Sequence, residues 1–250
     1  MNQRFAEAAT VVEAIDKALG RPTPRNEVFA EVKAIQEFLE WAIGDQLVVH
    51  KGKLGNFDFA AAVSTGPTLF VGEGNMSFSL ALAKLAPRAA QDFVVTTFEP
   101  RMRVSLAAYQ NAVKLTRIGA KVLHGVDATR LDRYFNATRF SAIVFNFPNV
   151  ASRIPVYGHN PNHNLIRRFL RNAAQRLARN GRVIITVVDT PFYSGAFGLT
   201  AAAKFAGYKE PDVYAFKPSH FSGYAHANTL GGQSALAKYR NFRSWVFQLP

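Results

Sequence analysis

From Thr68 onward the chain alternates short apolar runs with longer amphipathic segments, and few architectures accept that order. Apolar strands are predicted at 68–72, 92–98, 120–124, 140–146 and 182–188. Helices are predicted between them at 77–86, 102–118, 162–179 and 195–206. A late pair, 212–216 and 242–248, would close the sheet as a hairpin with a long loop. Strands this short, separated by helices, bury both faces in a mostly parallel sheet with helices on each side. The expected fold is therefore α/β, a doubly wound, mostly parallel seven-stranded sheet. In such a sheet ligands sit beyond the carboxyl ends of the strands, where the strand order reverses.

Upstream of this body the pattern is helical. Val28, Val32, Ile35, Phe38, Leu39, Ala42 and Ile43 recur at three- and four-residue spacing and mark one apolar stripe. An earlier stretch, Phe5 to Leu19, stops at Gly20 and the turn "RPTPR". Charge divides the chain at the same place. Residues 1–66 hold 7 Lys/Arg against 9 Asp/Glu, whereas the rest of the chain holds 23 against 8. We expect a helical N-terminal extension or lid over 1–66, covering the carboxyl edge, and a basic catalytic domain over 67–250. A basic body attracts polyanions such as RNA. The chain has no cysteine, so it forms no disulfide and no thiolate zinc site, which suits a reducing compartment. The first residues lack the apolar core of a secretory signal, and no run approaches the roughly 20 apolar residues of a membrane span. The expectation is a cytoplasmic protein with no membrane partner.

The polar residues of the body collect at strand ends. Of its 8 acids, Glu73, Glu99, Asp127 and Asp189 fall at or just past a predicted strand. After the first strand comes Gly72-Glu73-Gly74-Asn75, where glycines permit a tight turn and let a ligand lie against bare backbone. Ser77 is placed to cap the helix that follows. Glu99 ends the second strand, where an acid takes two ribose hydroxyls. Asp127, in "HGVDAT", is placed for the amino edge of an adenine. The dinucleotide pattern G-x-G-x-x-G fails, because Ser77 stands where its third glycine belongs. A glutamate in the turn repels a pyrophosphate and suits a ligand carrying an ammonium and a sulfonium. S-adenosylmethionine is such a ligand.

Beyond the fourth strand stands "FNFPN". Pro148 fixes the turn, Phe147 offers a flat apolar face, and Asn146 offers an amide donor and acceptor. Asn146 is expected to accept a hydrogen bond from a nitrogen nucleophile and hold it in line with the electrophilic carbon. The other reading of the same residues is a plain turn that caps a buried strand.

These motifs, together with "LFVGEGNMSFSLALA", "NHNLIRRFL" behind the FNFPN turn and "FSGYAHANT" near the end, resemble the Rossmann-like domain of the fungal large-subunit rRNA uridine-N3 methyltransferases and their relatives. The resemblance covers roughly residues 68 to 248. It implies a class I S-adenosylmethionine fold, with the cofactor at Gly72, Glu73, Gly74, Glu99 and Asp127 and chemistry near Asn146 to Pro148. Asn149 stands for the histidine of the family's "FPH", and His226-Ala227-Asn228-Thr229 stands for its "HRRT".

Two chemistries fit this reading, and a third class is non-enzymatic. The first is methyl transfer to a nitrogen of an RNA base, uridine N3 by family default, with Phe147, Tyr193 or Tyr224 stacking the base. The second takes a small acceptor or the cofactor itself, as in the similar azetidine-2-carboxylate synthases, which cyclise S-adenosylmethionine and release methylthioadenosine. Asn146, Tyr193 and Ser219 or Ser222 would then line a closed pocket. The third is a cofactor- or RNA-binding protein without turnover. His159 and His163 lie four apart but have no carboxylate beside them, so no metal site is expected. The basic run "RRFLRNAAQRLARNGR" reads either as a phosphate track or as a solvated helix face.

Overall fold

The computed structural model describes residues 54–150, 154, 159–227, 234, 237 and 239–250. The chain divides into two compact units, Met1–Lys51 and Gly52–Pro250. The expected N-terminal helices and their role as a lid lie outside the described residues.

In the second unit seven strands form one sheet in the order β3-β2-β1-β4-β5-β7-β6. The strands are β1 (Thr68–Phe70), β2 (Phe93–Thr96), β3 (Lys121–Leu123), β4 (Phe140–Asn146), β5 (Leu177–Val188), β6 (Asp212–Ala215) and β7 (Phe242–Gln248). The first five pair in parallel, and β7 runs antiparallel between β5 and β6. The order reverses between β1 and β4, which places the ligand crevice of a doubly wound sheet beyond their carboxyl ends. Two apolar layers fill the faces: one includes Leu69, Ile143, Phe169 and Phe247, the other Phe70, Phe78, Phe93 and Val144. Adjacent residues of β1 and β4 point into opposite layers, and both layers are buried. That explains why these strands are apolar throughout rather than alternating.

The helices are α1 (Phe59–Val63), α2 (Ser77–Leu85), α3 (Leu106–Arg117), α4 (Pro161–Ala174), α5 (Pro191–Phe197) and α6 (Leu199–Phe205). Their ends correct the sequence reading in physical terms. The helix expected from 102 starts at Leu106, because Ser105 caps it by accepting from the Ala108 N–H. The helix expected to reach 179 stops at Ala174. Arg176 there turns inward, its Nη1 donating to the carbonyls of Phe135 and Asn136, and β5 begins at Leu177. The single helix expected at 195–206 is two, split at Gly198 in the left-handed region, where the His163 ring leaves no room for a Cβ. Residues 54–66 also belong to the body rather than to an extension. Phe59 packs edge-on against Phe78, and Ala215 N–H donates to Gly55 O at 2.9 Å. No helix among the described residues is long and apolar enough to cross a membrane.

Candidate functional site

A cavity of about 570 Å³ opens at the carboxyl edge, lined by residues that follow β1, β2, β3 and β4 and by Tyr224, His226 and Ala227. Its size lies in the range of cofactor-sized pockets.

The floor is the turn after β1. Val71 N–H continues the sheet to Val144 O at 2.8 Å, and Glu73 N–H reaches Thr96 O at 2.9 Å. Gly72 has φ +63°, and a Cβ there would press on the Phe145 ring. Gly74 has another reason to be glycine. A Cβ at that position would run into the carbonyl oxygen of Ala227. The chain itself, rather than a ligand, makes the close approach.

Ser77 does not cap α2. Its Oγ donates to Ala225 O at 2.9 Å and accepts from Ala225 N–H at 3.0 Å. Two other residues satisfy the first turn. Asn75 Oδ1 accepts from Ser77 N–H, and Glu73 Oε2 accepts from both the N–H and the Oγ of Ser79. A carboxylate at a helix N-terminus is favourable, yet Glu73 is buried. Burial pushes its pKa up to about 7, against the lowering effect of the Ser79 bonds. Tyr224 is partly buried and lines the same cavity, and burial first, then the Glu73 charge, raises the Tyr224 pKa.

Glu99 is held by its backbone. Thr97 Oγ1 donates to Glu99 O at 2.8 Å, and Gly125 N–H donates to the same oxygen at 3.0 Å. Phe98 beside it lines the cavity and is 64 % exposed. Asp127 begins a short 3-10 turn, with Oδ1 accepting from Thr129 N–H and Thr129 Oγ1, both at 2.8 Å.

Past β4 the backbone is strained. Phe147 has φ +51° and Met76, which also lines the cavity, φ +58°. Non-glycine residues in the left-handed region are uncommon, and such conformations cluster at functional sites. The Phe147 turn is fixed by its N–H to Thr186 O at 2.7 Å, and Val150 N–H reaches Asn162 Oδ1 at 2.7 Å. Asn146 stands out among these residues. Neither its Nδ2 nor its Oδ1 has a hydrogen-bond partner among the described residues, although both are buried.

Of the residues singled out in the sequence, the cavity brings together Gly72, Glu73, Gly74, Asn75, Glu99, Asp127, Asn146, Phe147 and Pro148. Ser77, Tyr193, Ser219 and Ser222 do not line it. Tyr193 stacks on Phe197 and meets Tyr239 edge-on. Ser219 and Ser222 are exposed. Asp189 pairs with Arg243 at 2.8 Å and does not line the cavity. His163 Nδ1 lies 2.9 Å from Phe197 O, and no metal-binding cluster occurs among the described residues. Phe98 and His226 line the cavity without having been chosen from the sequence. His226 lies in the "GYAHA" stretch, whose spacing carries no periodicity to say which side chain turns inward.

A family model described as BMT5-like, "rRNA (uridine-N3-)-methyltransferase BTM5-like", matches residues 69–228. The chain belongs to this BMT5-like family. With it the chain belongs to the S-adenosylmethionine-dependent methyltransferases, and S-adenosylmethionine is its cofactor. The donor set fits that cofactor: two acids at the ends of β2 and β3, a glycine turn, and a buried carboxylate for a cationic ligand. An uncharacterized protein of Arabidopsis thaliana is 33% identical over 183 residues, 68% of this chain and 85% of that protein. The heavy metal-associated isoprenylated plant protein 41 of Arabidopsis thaliana is 33% identical over 129 residues, 47% of this chain and 24% of that protein. Among solved structures, TrmN from Thermus thermophilus is 16% identical, with a TM-score of 0.48, over 76% of this chain and 48% of that one.

Proposed function

We propose that this BMT5-like protein methylates N3 of a uridine in ribosomal RNA. The observation that carries the acceptor site is Asn146, a buried amide with neither polar atom partnered among the described residues, in the same cavity as Glu99 and Asp127. Buried polar groups are almost always paired, so an orphaned amide is explained by a missing ligand. In this reading Glu99 holds the ribose, Asp127 the adenine edge, and Glu73 with the Gly72–Asn75 turn the charged methionine portion. S-adenosylmethionine supplies an electrophilic methyl group on a cationic sulfur.

The chemistry of uracil refines the role of Asn146. The N3 of an imide carries a proton in the ring plane, and the new N–C bond forms along that direction as the proton leaves to water. A group accepting from N3–H would block the path. Asn146 therefore donates from Nδ2 to a carbonyl oxygen beside N3, which fixes the base and stabilises negative charge spreading onto that oxygen. Phe147 supplies the apolar wall next to it. The basic body, with 23 Lys/Arg against 8 acids beyond residue 66, supports an RNA acceptor.

Cyclisation of the cofactor called on Tyr193, Ser219 and Ser222, and it loses that support because none of them lines the cavity. The test is incubation with methyl-labelled S-adenosylmethionine, with and without large-subunit rRNA, followed by nucleoside analysis. N3-methyluridine with S-adenosylhomocysteine, formed only with RNA, is the expected result. Methylthioadenosine formed without RNA would select cyclisation, and no turnover of any kind would select a binding protein.

A further inference from the structure

The segment Tyr224–Ala227 is strapped across the cofactor turn. Asn75 Nδ2 donates to Ala225 O at 2.6 Å, and Ser77 Oγ both donates to and accepts from the Ala225 backbone. Ala227 O rests against Gly74. Held from both sides, the segment delivers His226 to the cavity wall, its ring edge-on to Phe147 with centroids 4.9 Å apart. Its Nδ1 lies 2.9 Å from Ser234 Oγ. With Nδ1 engaged there, Nε2 is the ring nitrogen left for a ligand. Phe147 is the chain neighbour of Asn146, and the imidazole, the Phe147 ring and the orphaned amide all line the same cavity.

Burial lowers the His226 pKa to about 4, so the ring is neutral near pH 7. A neutral ring avoids setting a second cation beside a sulfonium. The same low pKa argues against a general base, because so acidic an imidazolium gains little by taking an imide proton. Ser234 Oγ can donate to Nδ1 or accept from it; in the first arrangement the neutral imidazole carries its proton on Nε2 and is a hydrogen-bond donor there.

Resting on the uridine reading above, we propose that His226 donates its Nε2–H to one of the two carbonyl oxygens flanking N3, opposite the one held by Asn146, and thereby selects uracil over cytosine. Uracil presents an acceptor on each side of N3. Cytosine replaces one of them with an amino group, which would face a donor and leave it unpaired. Two donors flanking N3 leave the in-plane approach of the methyl group open and lower the cost of removing the N3 proton. Ser234 is a positioning residue in this proposal: by donating to Nδ1 it favours the Nε2–H tautomer without touching the base.

The test uses full-length protein loaded with S-adenosylhomocysteine, histidine- and asparagine-labelled for NMR, and titrated with uridine 5′-monophosphate or cytidine 5′-monophosphate. The uridine nucleotide should shift the His226 Nε2 signal and the Asn146 amide, and the cytidine nucleotide should shift neither. Binding of the uridine nucleotide should weaken about tenfold in His226→Ala and recover in His226→Gln, whose amide can donate. Unchanged S-adenosylhomocysteine affinity in each variant shows that the cavity is intact. If the uridine nucleotide moves the Asn146 amide while His226 Nε2 stays still, or His226→Ala binds it as the wild type does, the role of His226 is overturned. If saturating nucleotide leaves Asn146 unmoved, the uridine reading itself fails.

Discussion

Gly74 lies beneath the carbonyl oxygen of Ala227, so close that no side chain fits between them. Both residues line the cavity, and Asn75 and Ser77 tie the intervening Ala225 to the same turn. The glycine thus serves the fold first. Gly74→Ala should force the 224–227 strap away and cost about 1–3 kcal/mol, as overpacking does. Thermal unfolding of cofactor-free protein checks this. An unchanged midpoint, with cofactor affinity alone reduced, would return Gly74 to a purely ligand-facing role.

Glu73 and His226 give stability opposite slopes with pH. Burial raises Glu73 from 4.5 to about 7, so in that window the folded protein holds a proton that the unfolded chain has released. Its contribution is greatest below 4.5 and is lost as pH rises through about 7. Burial lowers His226 from 6.5 to about 4, so its contribution is present above 6.5 and is lost as pH falls through about 4. Denaturant midpoints measured at about pH 5 and about pH 8 should therefore lie close together in the wild type, where the two slopes oppose each other, and be clearly higher at about pH 8 in Glu73→Gln, where the His226 slope alone remains. The same variant tests the cofactor. Ionised Glu73 favours a cationic ligand, so S-adenosylmethionine should bind more tightly as pH rises through about 7, and Glu73→Gln should abolish that rise. A pH-independent affinity in the wild type would separate Glu73 from the charged part of the ligand.

Glu99 and Asp127 should contribute unequally. Asp127 already spends one oxygen on Thr129, whereas the bonds that hold Glu99 use its backbone carbonyl. Glu99→Ala should weaken cofactor binding by about 1–3 kcal/mol, the scale of charge-assisted hydrogen bonds. Asp127→Ala should cost less affinity and more stability, because the turn from Ala128 loses its cap. Calorimetry of both variants separates them, and unchanged affinity in Glu99→Ala would remove it from the site.

The sheet was legible because its strands are short, apolar and punctuated, and strand ends are where polar residues gather in this fold. The apolar run predicts β4 at 140–146, for example, and the strand spans Phe140–Asn146. What spacing could not convey was contact between distant segments. Ser77 reads as a cap by position, yet it is drawn to Ala225, 148 residues away, and Glu73 caps in its place. Ser219 and Ser222 are the polar residues of the late loop that attract notice, but a loop has no period from which to learn that His226 turns inward. The break at Gly198 was hidden for the same reason, since the crowding comes from His163 on another helix.

Asn146 combines a stability anomaly with a catalytic expectation, and one substitution reads both. Its amide is buried with neither polar atom partnered among the described residues, so the cofactor-free protein bears a desolvation cost that no hydrogen bond from those residues offsets. Asn146→Ala removes that cost and opens only onto an existing cavity, so the variant should be as stable as the wild type or more so. Donation from Nδ2 to a carbonyl grows in strength as charge builds on the oxygen, so its loss should fall mainly on the transition state. Turnover on large-subunit rRNA should drop by a factor of about ten to a thousand, with S-adenosylmethionine affinity nearly intact. Asn146→Asp should fare no better, because a carboxylate has no donor and would repel the developing anion. If Asn146→Ala instead loses stability and keeps full turnover, the residue is a strand cap and the acceptor site lies elsewhere.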